Sequence, residues 1–194
     1  MDLKGHRLIL GSQSPRRREL LEGMLLDFTV DSGTSFVESV PDGTAHEDVP
    51  ALMSEGKSLH FHRPLEEDEL LLTSDTMVLC GREILGKPHG MQDAQRMLRL
   101  LSGKWHSVIT AVTLRSPSRL KTLSDEARVL FKPLSEEEIS YYIDKCSPFD
   151  KAGAYGIQEW IGYIGIPRIE GSFFTIMGLP VHLVYELLCE FVNG

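Results

Sequence analysis

At 194 residues, with 42% hydrophobic and 25% charged side chains, the chain has the composition of an ordinary globular protein and length for a substantial core. A formal net charge of -8 and a pI near 5.4 argue against a nucleic-acid or anionic-membrane partner, since both need a basic face. Cys80, Cys146 and Cys189 are far apart and form no C-x-x-C pair, and no apolar run has the length of a signal core or a bilayer span, so the sequence predicts one cytoplasmic domain over 1–194 with buried thiols.

The chain opens with an apolar run, Leu8-Ile9-Leu10, that gives way to Gly11-Ser12-Gln13-Ser14-Pro15-Arg16-Arg17-Arg18. This pattern predicts a strand, a tight turn and a helix capped by Ser14 with Pro15 in its first turn. The unpaired N–H groups of such a turn favour an anion, and the forked guanidinium groups of Arg16 and Arg17 match phosphate oxygens. The same stretch also reads as a capped surface helix with a solvated basic face.

Phe28 to Ser32 predicts a second strand, followed by a polar loop. Thr44 to Glu47 has the pattern of a capping box opening a helix to about Phe61, with Pro50 tolerated in its first turn. Leu70 to Thr73 is a continuous apolar run of the buried-strand type, and Ser74-Asp75-Thr76 would close it, which places Asp75 for metal or proton chemistry; a turn aspartate is the plainer alternative. A short hairpin is expected around Gly81-Arg82. Gly81 to Lys87 fits G-x-x-x-x-G-K, but Pro88 stands where a phosphate-binding P-loop needs Ser or Thr, so that reading is rejected while Lys87 stays a candidate phosphate contact.

Ala94, Met97, Leu98 and Leu101 form a helical stripe, and Trp105–Leu114 and Asp125–Lys132 read as paired strands. Ser135 to Glu138 is a second capping box. The glycine-rich run Asp150-Lys151-Ala152-Gly153-Ala154-Tyr155-Gly156-Ile157-Gln158 permits close backbone approach to a ligand. Phe173 to Ile176 reads as a strand, and a last helix puts Val181, Val184, Tyr185, Leu188 and Val192 on one face, which serves a core or a homodimer equally. His60 and His62, two apart on a helix, point in different directions and are not taken as ligands. The order of elements predicts an α/β fold with a mixed sheet and flanking helices.

Five blocks in order, Ser12-x-Ser14-Pro15-Arg16-Arg17-x-x-Leu20-Leu21, Ser74-Asp75-Thr76, Gly86-Lys87-Pro88, Asp150 to Gln158 and Met177-Gly178-Leu179-Pro180, resemble the Maf family of nucleoside triphosphate pyrophosphatases. The resemblance implies two lobes around a cleft, a fold related to the inosine triphosphatases, and cleavage of a nucleoside triphosphate between its α and β phosphates with Mg²⁺ or Mn²⁺. The fourth block resembles the branch that acts on dTTP and UTP. On that basis Asp75 is the proton acceptor, Arg17, Thr76 and Gln158 stand at positions of substrate choice, and Asp75 with Glu38 would hold the metal. The family's usual Asp-Glu, Lys-Ala and Ala-Asp-Thr are here Val37-Glu38, Lys57-Ser58 and Ser74-Asp75-Thr76.

A triphosphate carries about four negative charges, so positioning and neutralisation are the main tasks of such a site. Ser14, Arg16, Arg17, Lys57, Thr76, Lys87 and Gln158 are the expected substrate contacts. Two other readings follow from the same resemblance: a nucleotide-binding regulator of cell division and septum formation, and a pyrophosphatase preferring CTP or 7-methyl-GTP.

Overall fold

The structure, a computed structural model, describes residues 1–193. In chain order it comprises β1 (Arg7–Leu10), α1 (Pro15–Gly23), β2 (Phe28–Val30), α2 (Val49–Leu59), β3 (Glu69–Cys80), β4 (Glu83–Leu85), α3 (Met91–Leu101), β5 (Trp105–Arg115), β6 (Leu120–Leu130), α4 (Glu136–Cys146), α5 (Trp160–Gly165), β7 (Arg168–Glu170), α6 (Phe173–Met177) and α7 (Val181–Asn193). The strands form one mixed seven-stranded sheet in the order β2-β1-β3-β5-β6-β7, with β4 beside β3. The predicted α/β class with a mixed sheet and flanking helices is the observed one. No helix among the described residues is long and apolar enough to cross a membrane.

The chain divides into two compact units, one of residues 1–75, 110–125 and Gly178 onward, the other of 76–109 and 126–177. In the first, β1 pairs in parallel with both β2 and β3, and Leu8, Leu10, Leu21, Leu70, Leu71, Leu72 and Leu114 are buried almost completely. Each such side chain contributes about 1.5–3 kcal/mol by leaving water. In the second, the buried set is built on Leu85, Leu98, Leu101, Phe131, Ile139 and Tyr142.

Several local expectations hold. Ala94, Met97, Leu98 and Leu101 are the buried face of α3. Ser135 and Glu138 make a reciprocal capping box at the start of α4. Gly81, at φ +64, turns the hairpin between β3 and β4. The expected burial of the thiols holds for Cys80 but not for Cys146 and Cys189, which are only partly buried.

Others are corrected. Ser14 stands at the N-cap of α1, but its side chain makes no capping bond; Ser12 Oγ accepts the Ser14 amide at 3.3 Å instead. No capping box forms at Thr44, whose hydroxyl turns back to Pro41 O at 2.7 Å; a 3-10 turn at His46–Asp48 leads into α2, with Pro50 in its first turn. Asp75 lies inside β3 rather than past its end. The parallel ladder with β1 stops at Leu72, and the antiparallel ladder with β4 then carries the strand on to Cys80. Phe173 to Ile176 is helical: Thr175, Ile176 and Met177 are buried consecutively rather than alternately, and Arg168–Glu170 takes the place beside β6. On α7 the buried residues are Val184, Leu187 and Leu188, while Tyr185 is 55% exposed.

Candidate active site

The first unit carries a cationic corner at the end of β1. Gly11 lies so close to β3 that a Cβ on it would come within 2.8 Å of the Thr73 side chain, and its amide donates to Leu72 O at 2.8 Å. The chain then turns through Ser12 into α1, which points Arg17 back into the bend. There Arg17 donates from Nη1 to Ser12 Oγ at 3.1 Å and from Nε to the carbonyl of Gly178 at 2.9 Å. Ser74 Oγ donates to the same carbonyl at 3.3 Å, and Gly178 takes φ +106, a conformation side-chain-bearing residues rarely adopt.

Burial pushes the Arg17 guanidinium down to about 10; the charge of Asp75 opposes this and that of Arg16 adds to it. Arg17 therefore stays cationic near neutral pH, within the field of both neighbours.

Lys57, in the last turn of α2, joins two acids. Its Nζ is 2.5 Å from Asp75 Oδ1 and 2.9 Å from Glu38 Oε1, which draws one acid from a central strand and one from an exposed loop onto a single cation. Asp75 and Lys57 are about four-fifths buried, and Glu38 is 62% exposed. Buried charges of opposite sign at this distance interact far more strongly than a surface pair.

The loop bearing Glu38 is anchored on α2. A Cβ on Gly56 would fall 2.3 Å from Phe36 Cζ, so the tip of the Phe36 ring occupies the space a side chain there would need. Thr34 and Ser35 add bonds to the His60 carbonyl, the Ser35 amide at 3.0 Å. His60 Nδ1 lies 2.9 Å from Gly56 O, and His62 pairs with Asp31, holding that carboxyl below its usual range. The two histidines thus have structural partners.

In the second unit, Thr76 is half-buried in β3, Lys87 is exposed on the bend after β4, and Gln158 lies on the turn before α5. The Gly153 amide donates to Gly86 O at 3.0 Å, which seats the bend before Lys87 against the glycine-rich block. Gly153 itself, at φ +69, packs against Val78, its Cβ position 3.1 Å from a methyl. Gln158 Oε1 is buried and has no hydrogen-bond partner.

Of the expected site residues, the structure joins Lys57, Glu38 and Asp75 directly and sets Arg17 and Arg16 in one electrostatic field with Asp75. Ser14 is in the same unit, two residues from Ser12. Thr76, Lys87 and Gln158 belong to the second unit. Sequence reasoning missed three supports: Ser12 and Gly178, which hold Arg17, and Gly56, whose only signal was a glycine inside a helical pattern.

Among the described residues there is no group of three or more His, Cys, Asp or Glu side chains that could hold a metal ion. Two carboxylates converging on a cation nevertheless suit Mg²⁺ or Mn²⁺, which take oxygen ligands and are commonly bound through one or two carboxylates together with substrate phosphates and water. Asp75 and Glu38 are the residues that fit that role.

The family described as Maf-like protein matches residues 7–191. A dTTP/UTP pyrophosphatase of Porphyromonas gingivalis strain W83 is 45% identical over 192 residues, covering 98% of this chain and 96% of the relative. A dTTP/UTP pyrophosphatase of Bacteroides thetaiotaomicron is 46% identical over 184 residues, 95% of each chain, and one of Parabacteroides distasonis is 43% identical over 190 residues, 98% of each. With the match spanning both units and every block quoted from the sequence, this chain belongs to the Maf family.

Proposed function

We propose that the chain hydrolyses dTTP and UTP between the α and β phosphates, releasing the nucleoside monophosphate and pyrophosphate, and that residues 1–194 work as one functional domain in the cytoplasm. The observation that carries the reading is the Lys57 ammonium joined to both Asp75 and Glu38 in the unit that also holds Arg17. The names of the relatives support the choice of substrates.

In this mechanism Arg16, Arg17 and Lys87 bind phosphate oxygens by charge-assisted hydrogen bonds, and Ser14 and Thr76 add hydroxyl contacts. Water attacks phosphorus at the α–β link; its proton passes to the Asp75 carboxylate as the bridging P–O bond breaks and pyrophosphate leaves. Lys57 fixes the Asp75 carboxylate in orientation through their ion pair. A divalent metal held by Asp75 and Glu38 would polarise the phosphate oxygens and lower the charge the water must approach.

Base choice falls to Gln158. Its unpartnered carbonyl oxygen matches the N3–H of thymine or uracil, and its amide N–H groups match a ring carbonyl. Cytosine has no hydrogen at N3, so that acceptor would stay unpaired in a low-dielectric site.

The test is a panel of dTTP, UTP, CTP, 7-methyl-GTP and purine triphosphates with Mg²⁺ or Mn²⁺, with products separated. Pyrophosphate release from dTTP and UTP is expected. Release of orthophosphate, or nucleotide binding without turnover, would overturn the proposal, and a strong preference for CTP or 7-methyl-GTP would overturn the choice of branch.

A further inference from the structure

The block that carries Gln158 is closed across its base by a bonded network with no role in the chemistry above. Lys151 has a buried side chain, only 9% exposed, whose Nζ lies 2.7 Å from Asp150 Oδ1 and 2.9 Å from Glu159 Oε1. Glu159 directly follows Gln158. The other oxygen of Glu159 accepts the hydroxyl of Tyr142, a wholly buried residue of α4. That hydroxyl oxygen in turn accepts the amide of Gly156 at 2.9 Å.

The bonds therefore run from Lys151 to Glu159, on to Tyr142 and back to Gly156, clasping the segment that ends in Gln158. Space for the clasp depends on the glycine, since a Cβ on Gly156 would lie 2.8 Å from the carboxyl carbon of Glu159. Behind the turn, a Cβ on Gly162 would fall 1.8 Å from Ile157 O, so the residues on either side of Gln158 are confined.

A buried ion pair is a poor source of stability, because desolvation offsets most of its attraction and an apolar pair of equal volume often serves as well. What it supplies is direction. Charge-assisted bonds with fixed partners hold one backbone geometry, whereas apolar packing tolerates small rotations. Gln158 has a use for that: an acceptor left without an internal partner keeps its aim only if its backbone is held from outside the side chain.

We propose that Lys151, Glu159 and Tyr142 are positioning residues for base selection, fixing the Gln158 backbone so that its carbonyl oxygen meets the imide N–H of a uracil or thymine. The inference rests on the reading of Gln158 as the base-reading side chain. The ligand chemistry is a pyrimidine with a donor at N3.

The experiment compares kcat/KM for UTP and CTP, with melting temperatures, in the full chain carrying Tyr142→Phe, Glu159→Gln or Gln158→Ala. Tyr142→Phe keeps the ring and removes one hydroxyl, so it preserves packing even if a charge variant fails to fold. The clasp variants are expected to lower kcat/KM for UTP about tenfold, the scale of one misaligned hydrogen bond, chiefly through KM, with CTP little changed. Equal loss for both nucleotides, or no change in the ratio in folded Tyr142→Phe, would overturn the positioning role. If Gln158→Ala lowers the ratio while the clasp variants do not, the base-reading role stands and the clasp falls. If Gln158→Ala leaves the ratio unchanged, the underlying reading of Gln158 fails instead.

Discussion

Lys57 Nζ binds Asp75 Oδ1 at 2.5 Å, an ion pair between the last turn of a helix and the middle of a buried strand. If Asp75 accepts the proton of the attacking water, Asp75→Asn keeps the shape and loses the acceptor. Turnover should fall by about a hundredfold or more. Lys57→Met should cost about tenfold or more, because the carboxylate loses its orienting partner. Pyrophosphate release under saturating nucleotide, with a melting curve to show that each variant is folded, is the check; near-normal turnover in Asp75→Asn would remove Asp75 from the chemistry.

Arg17 is held by two different acceptors, a hydroxyl and a backbone carbonyl, through separate arms of its guanidinium. Lysine offers one point charge in place of that fork. Arg17→Lys should raise KM for UTP and lower kcat/KM by roughly tenfold to a hundredfold while leaving the fold in place. Steady-state kinetics decide it, and an unchanged KM would mean that the charge alone matters.

Gly56→Ala places a good helix former in α2, which by propensity alone would stabilise the helix by about 1 kcal/mol. Here the new methyl meets the Phe36 ring, at 2.3 to 2.8 Å from three of its atoms, and the loop bearing Glu38 must move. We expect no gain in melting temperature and a several-fold weaker activation by Mg²⁺. Titrating activity against metal concentration measures this; a gain in stability with unaltered activation would show that the Phe36 contact is dispensable.

His106, buried in β5, shares a 2.7 Å hydrogen bond with the Tyr155 hydroxyl and stacks on Phe131. Burial pushes its pKa down to about 4 from an ordinary 6.5. The unfolded chain therefore binds this proton more readily, and the folded state loses stability as pH falls from about 6.5 toward 4. The loss reaches the order of 3 kcal/mol once both states are protonated. His106→Asn should be less stable at pH 7.5 but should show a shallower decline of melting temperature between pH 6.5 and 4.5. Parallel slopes would refute it.

Much of this was legible in the residues. Apolar runs mark β1 and the first half of β3, the stripe on α3 is periodic, and the Ser135 box is local chemistry that no distant contact disturbs. What escaped depends on partners remote in sequence. β3 runs on past Asp75 to meet β4 from Val78, and Phe173 to Met177 is helical while Arg168–Glu170 takes the place beside β6. In the site, the types of residue could be read from the sequence, but not their supports: nothing local joins Arg17 to the carbonyl of Gly178, or Glu38 through Phe36 to Gly56.

The ladders of β3 with β1 and β4 run in opposite senses, Leu70 to Leu72 against Leu8 to Leu10, and Val78 to Cys80 against Glu83 to Leu85. A slip of one residue would turn every side chain of the strand to the other face of the sheet. Here such a slip would have to break a parallel and an antiparallel alignment at once, with Asp75 between them. The side of the sheet on which the acid emerges is thus held by both of these alignments in addition to β5 on the neighbouring edge, and a substitution that weakens either ladder alone should loosen that end of the strand without inverting Asp75.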